Sequence, residues 1–279
     1  MTATAPPSRH NRTVERGGLE RWRPYIAAAS LVLALCFIML LHRALPDGSA
    51  ALLLDRGGLT YPFSIQNGMW LVFFIGLGEL AVRAGAARTE TSLLSHGYLP
   101  EDPRTVLQVD DLPPIYRRAR AESRFAHCFL PRLIERCILQ FQTSRSIDQS
   151  ALLLNTSIDM FLHEVDLRYS MLRYITWLIP SLGFIGTVMG IGYALAYAGD
   201  SSRIEDPNLL SELTGRLAVA FNTTLLALIL AAIILFLQSI TQSREERALN
   251  RAGQYCLDNF INRLYVAREE RNDRSDRGT

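Results

Sequence analysis

Threonine is the residue that could do chemistry at membrane depth in this chain. Its hydroxyl can orient water or hydrogen-bond a carboxyl group in either protonation state. Thr187 lies in Ile179-Pro180-Ser181-Leu182-Gly183-Phe184-Ile185-Gly186-Thr187-Val188-Met189-Gly190-Ile191, inside an apolar run from Ile175 to Ala198. Three glycines, a proline and a threonine stand there where lipid alone would favour leucine and isoleucine. Small and polar residues at that depth mean that a helix packs on protein or lines a pore. At about 100° per residue, Gly183, Thr187, Gly190 and Ala194 fall within an arc of about 60°. Ala220, Thr224, Ala227 and Ala231 do the same on the next apolar run. Each stripe taken alone reads as helix packing, since Gly186-x-x-x-Gly190 is itself a small-x-x-x-small pattern. Paired, with a threonine at similar depth on each, they favour a polar ring.

No Asp, Glu, His, Lys or Arg occurs within Ile175–Ala198 or Leu217–Leu237. A proton relay needs a titratable group at membrane depth, so in a proton-conducting assembly the acid has to come from a partner. Other polar residues read as structural. Glu79 stands one turn before Arg83, the spacing of an ion pair. Asn222, about 160° around the helix from Thr224, suits interhelical hydrogen bonding. Asp200, just past the third run, reads as a surface carboxylate. The five histidines and four cysteines show no metal or redox spacing, and no nucleophile–base pair or phosphate loop stands out. No enzymatic activity, cofactor, metal or nucleic-acid partner is expected.

The elements that must position these residues are four apolar blocks, about Tyr25–Leu41, Gly68–Val82 (completed by Phe63–Asn67), Ile175–Ala198 and Leu217–Leu237. A spanning helix needs roughly 20 apolar residues. The fold class is therefore all-α, a polytopic membrane protein with four transmembrane helices. The first block follows a long basic lead with no small-x-small site after it, so it reads as an uncleaved span. Arg9, Arg12, Arg16, Arg21 and Arg23 precede the first span, and eight arginines follow the fourth. The positive-inside rule then puts both termini in the cytoplasm. All 29 basic residues are arginine.

The expected organisation is a disordered tail (1–23), a peripheral transmembrane hairpin (24–84), a cytoplasmic helical region (85–143), a pore-forming helix pair with cytoplasmic extensions (144–265) and an Arg-rich tail (266–279) that can touch lipid. Pro100, Pro103 and Pro113-Pro114 read as breakers, after which Tyr116–Gln142 reads as helix with a kink at Pro131. Ile147, Ala151, Leu154, Ile158, Phe161, Val165 and Leu172 form one helical stripe running without a break into the third span. Leu249, Ala252, Cys256, Phe260 and Leu264 form a second beyond the fourth. Asp206-Pro207 reads as the start of the last helix, with the aspartate as cap.

The chain resembles the MotA/TolQ/ExbB proton channel family. The resemblance rests on Pro180-Ser181-Leu182-Gly183 followed by Gly186-Thr187-Val188-x-Gly190-Ile191, and on Ala220-x-x-x-Thr224, and covers roughly 147–265. It implies an inner-membrane pentamer enclosing the single-span helices of a dimeric partner whose aspartate titrates, with proton flux driving rotation or force transfer. Thr187 and Thr224 match the family's pore threonines, and Pro180 its proline opening the third span. Gly183, Gly190, Ala194, Ala220 and Ala227 are then pore-lining, while Gly186 and Asn222 pack helices. Val219 stands where TolQ- and ExbB-like members carry glutamate, and Ile233 where they carry proline. A lumen without carboxylates of its own leans towards proton over sodium. The alternative is a non-conducting membrane scaffold that recruits cytoplasmic partners.

Overall fold

A computed structural model describes residues 23–46, 53–55, 62–102, 104–121, 125, 127–199 and 207–265. The readings of the N-terminal tail, Asp200, Asp206 and the tail from residue 266 lie outside the described residues. The described residues include seven long α-helices: α1 Arg23–Ala44, α2 Ile65–Leu93, α3 Leu112–Ala121, α4 Phe129–Ser144, α5 Ile147–Arg168, α6 Ser170–Ala198 and α7 Leu209–Asn259. Among the described residues the only β pairing is an isolated bridge between Leu107 and Leu264. Among the described residues four helical stretches are long and apolar enough to cross a membrane, one of them running from α5 through α6. The chain is an all-helical, multi-pass membrane protein.

Local chemistry explains most helix ends. Ser64 caps α2 by accepting from the Asn67 N–H at 3.3 Å, while its own hydroxyl donates to Leu54 O at 3.0 Å. Trp70 Nε1 donates to Leu53 O at 3.0 Å, so the strip of chain before α2 is tied to its first turns. Ser146 caps α5 through the Gln149 N–H. Arg145 adopts the left-handed conformation (φ 51°) that closes α4, its N–H donating to Phe141 O at 2.8 Å.

Three sequence expectations are corrected here. Tyr116–Gln142 is two helices. Pro113-Pro114 and Pro131 fall in the first turns of α3 and α4, where a missing N–H costs nothing, so they open helices and do not kink one. The helix entering the third span is interrupted at Tyr169 (φ −91°, ψ 0°), whose N–H turns to Asp166 O. The last helix begins at Leu209, with Asn208 at its N-cap. Pro180 also lies inside α6, ten residues past its start, so it does not open the helix. There it withholds an N–H from the Thr176 carbonyl one turn earlier.

Two cores stack along α7. In the apolar half, α2 packs on α6 and α7 through Trp70, Phe73, Phe74, Ile175, Ile179, Leu230 and Ile234. Ser30 of α1 lies against Gly78 of α2, so α1 is the outermost helix of this layer. In the polar half, α3, α4, α5 and the end of α7 enclose Phe129, Phe141, Phe161, Val165, Tyr169, Leu249, Cys256 and Phe260, none of them exposed. Full burial of such a side chain stabilises by about 1.5–3 kcal/mol each. Both amphipathic stripes read from the sequence supply this core. Cys128, Cys137 and Cys256 are buried free thiols, and burial pushes Cys137 up to about 12.

Candidate functional site: the threonine seam of α6 and α7

The two small-residue stripes meet each other. A Cβ at Gly186 would stand 2.8 Å from Thr223 Oγ1, one at Gly190 2.7 Å from Ala220 Cβ, and one at Gly183 would overlap Ala227. The order of these contacts makes α6 and α7 antiparallel. The missing side chains let the backbones approach closely, which is how membrane helices associate without a hydrophobic drive between them. Gly183, Gly186, Ala194, Ala220 and Ala227 are buried in the seam, while Gly190 and Asn222 are half-buried.

Thr187 and Thr224 lie across the seam from each other. Their hydroxyls are hydrogen-bonded to one another. Thr187 Oγ1 is 3.1 Å from Gly183 O and 3.0 Å from Ala220 O, and Thr224 Oγ1 is 3.2 Å from Gly183 O. Two hydroxyls bring two protons and four lone pairs. With one proton in the hydrogen bond between the hydroxyls and the other given to a neighbouring carbonyl, three lone pairs remain to accept from an acid. Rotation of one hydroxyl would instead offer its proton to a carboxylate.

Which way this pair faces follows from helical geometry. With Gly183 and Ala220 as zero, Ile175 and Ile179 on α6 and Leu230 and Ile234 on α7 lie about 40° to 80° to one side. That side is covered by α2, since Gly76 stands against both Ile175 and Ile234. Thr187 and Thr224 lie about 40° to the other side. In an antiparallel pair, equal rotations point to the same flank. The two threonines are therefore on the flank turned away from α2, and both are half-buried. Phe184, Phe221 and Leu228, 57–68 % exposed, border that flank.

Sequence reasoning missed Thr223. It is 3 % exposed, donates to Ala220 O at 2.7 Å and lies under Gly186. Its place one residue before Thr224, on the α2 side of the stripe, was the available signal. Also missed was a polar clasp in the other half. Glu245 is fully buried and accepts from Arg168 Nη1 at 2.9 Å and from the Tyr169 hydroxyl at 3.0 Å. Arg168 Nη2 reaches Glu164 at 2.6 Å, and Arg132 pairs with the same carboxylate at 3.1 Å. Glu245 stands one turn before Leu249 on the apolar stripe, which could have marked it. The clasp fastens the interruption at Tyr169 to α7. Glu79 and Arg83 do form an ion pair, at 3.2 Å. No group of His, Cys, Asp or Glu among the described residues could hold a metal ion.

No curated protein and no solved structure matches the chain. Residues 124–253, which include α4, α5, α6 and most of α7 with the whole threonine seam, match the family model of the MotA/TolQ/ExbB proton channel family. Over those residues, a little under half of the chain, it is similar to a family of membrane channel proteins, the one its motifs resemble.

Proposed function

We propose that the chain is the channel subunit of an inner-membrane motor complex, with the Thr187–Thr224 pair lining the ion path. The carrying observation is the position of that pair, half-buried on the flank of the seam opposite the α1–α2 hairpin. Copies arranged with their hairpins outward would present this flank to a shared central space. Five copies around a dimeric single-span partner is the arrangement that the family resemblance implies. The partner's aspartate, protonated from one side and released to the other, would exchange hydrogen bonds with the threonine hydroxyls and step against the ring. Glu79 is held in an ion pair by Arg83. Both termini and the polar half, on this reading, are cytoplasmic.

The test is proton uptake by the complex reconstituted with its aspartate-bearing partner. Thr187→Val with Thr224→Val should lower flux at least about tenfold, the scale of a lost proton-transfer contact, while the native mass of the ring stays that of the wild type. Thr223→Val, on the other flank, should leave flux within about twofold. Unchanged flux in the double variant removes the hydroxyls from the mechanism.

A second reading has one observation behind it: both stripes are consumed in packing within one chain, as a non-conducting scaffold would use them. Native mass of the chain purified alone separates the two. A ring supports the channel, whereas a stable monomer leaves no lumen.

A further inference from the structure

Between α2 and α7, just beyond the apolar layer, lies a cleft of about 460 Å³. Its walls carry Arg88 from α2 and Arg244, Arg247 and Arg251 from α7, and its floor is the alanines Ala87 and Ala248. All four arginines are exposed, and none has a hydrogen bond, ion pair or ring contact among the described residues. The neighbouring carboxylates are committed elsewhere: Glu245 to Arg168 and Tyr169, Glu90 to the Phe129 N–H, and Glu246 accepts from Gln242. Arg132, Arg168 and Arg173 of the polar half, by contrast, are ion-paired within the chain.

We infer that this cleft binds the phosphate headgroup of an anionic phospholipid. The exposed face of α7 changes character at this level. Ile233, Leu237, Ile240, Arg244, Arg247 and Arg251 fall within an arc of about 80°. The three aliphatic residues are 36–42 % exposed. That face is thus a stripe of apolar contacts followed by a stripe of cations, the profile of an acyl chain leading to its headgroup. The depth agrees. Arg88 is about 9 Å past Val82 and Arg244 about 10 Å past Leu237 along their helices. The headgroup zone begins where the hydrocarbon layer ends and is roughly 5–8 Å thick, within reach of an arginine extended towards the membrane. Alanines in the floor leave room for a phosphate, and planar guanidinium groups grip its oxygens in pairs, which ammonium groups do not. Arg244, Arg247 and Arg251 lie on the α2 side of α7, away from the threonine flank, so the inference needs only membrane insertion and does not rest on ion conduction.

The experiment compares the full chain in nanodiscs of phosphatidylcholine with and without phosphatidylglycerol, reading retained lipid by native mass spectrometry after release. Wild type should keep phosphatidylglycerol in preference to phosphatidylcholine. Replacing Arg88, Arg244, Arg247 and Arg251 with glutamine should cut that retention at least about tenfold, given the contribution of each basic residue near an anionic surface. Arg117→Gln with Arg120→Gln, the same kind of charge removal on α3, should keep it. If the fourfold variant does not fold, Arg244→Gln with Arg247→Gln should give a partial loss at an unchanged melting temperature. Equal retention by wild type and the cleft variants overturns the inference. So does preference for inorganic phosphate over the lipid, or absence of any retained lipid because an acidic segment of a neighbouring copy fills the cleft.

Discussion

Helix α7 packs in two opposite ways along its 51 residues. In the apolar half it meets α6 through Ala220, Thr223 and Ala227, against glycines that leave nothing between the backbones. In the polar half it meets α4 and α5 through Leu249, Cys256 and Phe260, against large side chains such as Phe129, Phe141 and Phe161. The solvents differ, and so does the force. In water, removing aromatic and aliphatic surface is itself the drive, so bulk is rewarded. In lipid no such drive exists between helices, so closeness and backbone-directed hydrogen bonds must hold them. Polar groups follow suit: the seam of α6 and α7 carries neutral threonines, whereas the ionised pairs of Glu79 and Glu245 lie near the end of the second apolar block and in the polar half.

The contrast can be broken first in the polar half. Phe161→Ala removes a fully buried ring that also lies 4.2 Å beneath the Arg132 guanidinium and 4.9 Å from that of Arg136. It should lower stability by about 3–5 kcal/mol, read as a fall in the thermal midpoint of the detergent-solubilised chain. A midpoint within error of wild type would mean that bulk is not what holds this half.

In the seam the same logic inverts, and adding atoms is the damaging change. Gly183→Val should cost about 1–3 kcal/mol by forcing α6 off α7, whereas Gly192→Val, with nothing within 4 Å of its added carbon, should be nearly silent. Both variants are scored by thermal melting in detergent, and equal losses would remove the close-packing argument.

Glu90 sharpens the comparison at the border between the two cores, about two turns past the end of the second apolar block. Its carboxylate caps α4 through the Phe129 N–H at 3.0 Å, and burial, partly offset by that bond and by Arg168, raises its pKa from 4.5 to about 7. A raised folded-state value means that the folded chain holds the proton more tightly. Its contribution is fully present below about pH 4.5 and is lost as pH rises to about 7. Glu90→Gln keeps an acceptor for Phe129 without the charge. It should gain on the order of 2 kcal/mol over wild type at pH 8 and nothing near pH 4. A gap that does not change with pH would sink this account.

The smallest expected effect on stability is at the threonines. Thr187→Val and Thr224→Val should each cost less than about 1.5 kcal/mol, because neutral hydrogen bonds contribute little net energy. Their effect belongs in proton flux, which separates a functional hydroxyl from a packing one.

The sequence by itself determined the number of spans, the identity of the apolar blocks and both amphipathic stripes, because periodicity reports which face of a helix is removed from water. It also carried the family resemblance, since the glycines and threonines on which it rests stand at fixed spacing along two consecutive apolar runs. The break at Tyr169 and the separation of α3 from α4 were not legible. Those ends depend on partners distant in the chain, Glu245 for the first and Glu90 for the second. Only the tertiary structure decided that the two small-residue stripes face each other and that Thr223 lies deeper than Thr224. A helical wheel gives directions about one axis, but which direction meets a neighbour depends on where α2 presses against the pair. The same holds for the arginine cleft: its four cations are spread over more than 160 residues of sequence, and only the parallel approach of α2 and α7 brings their charges into one place.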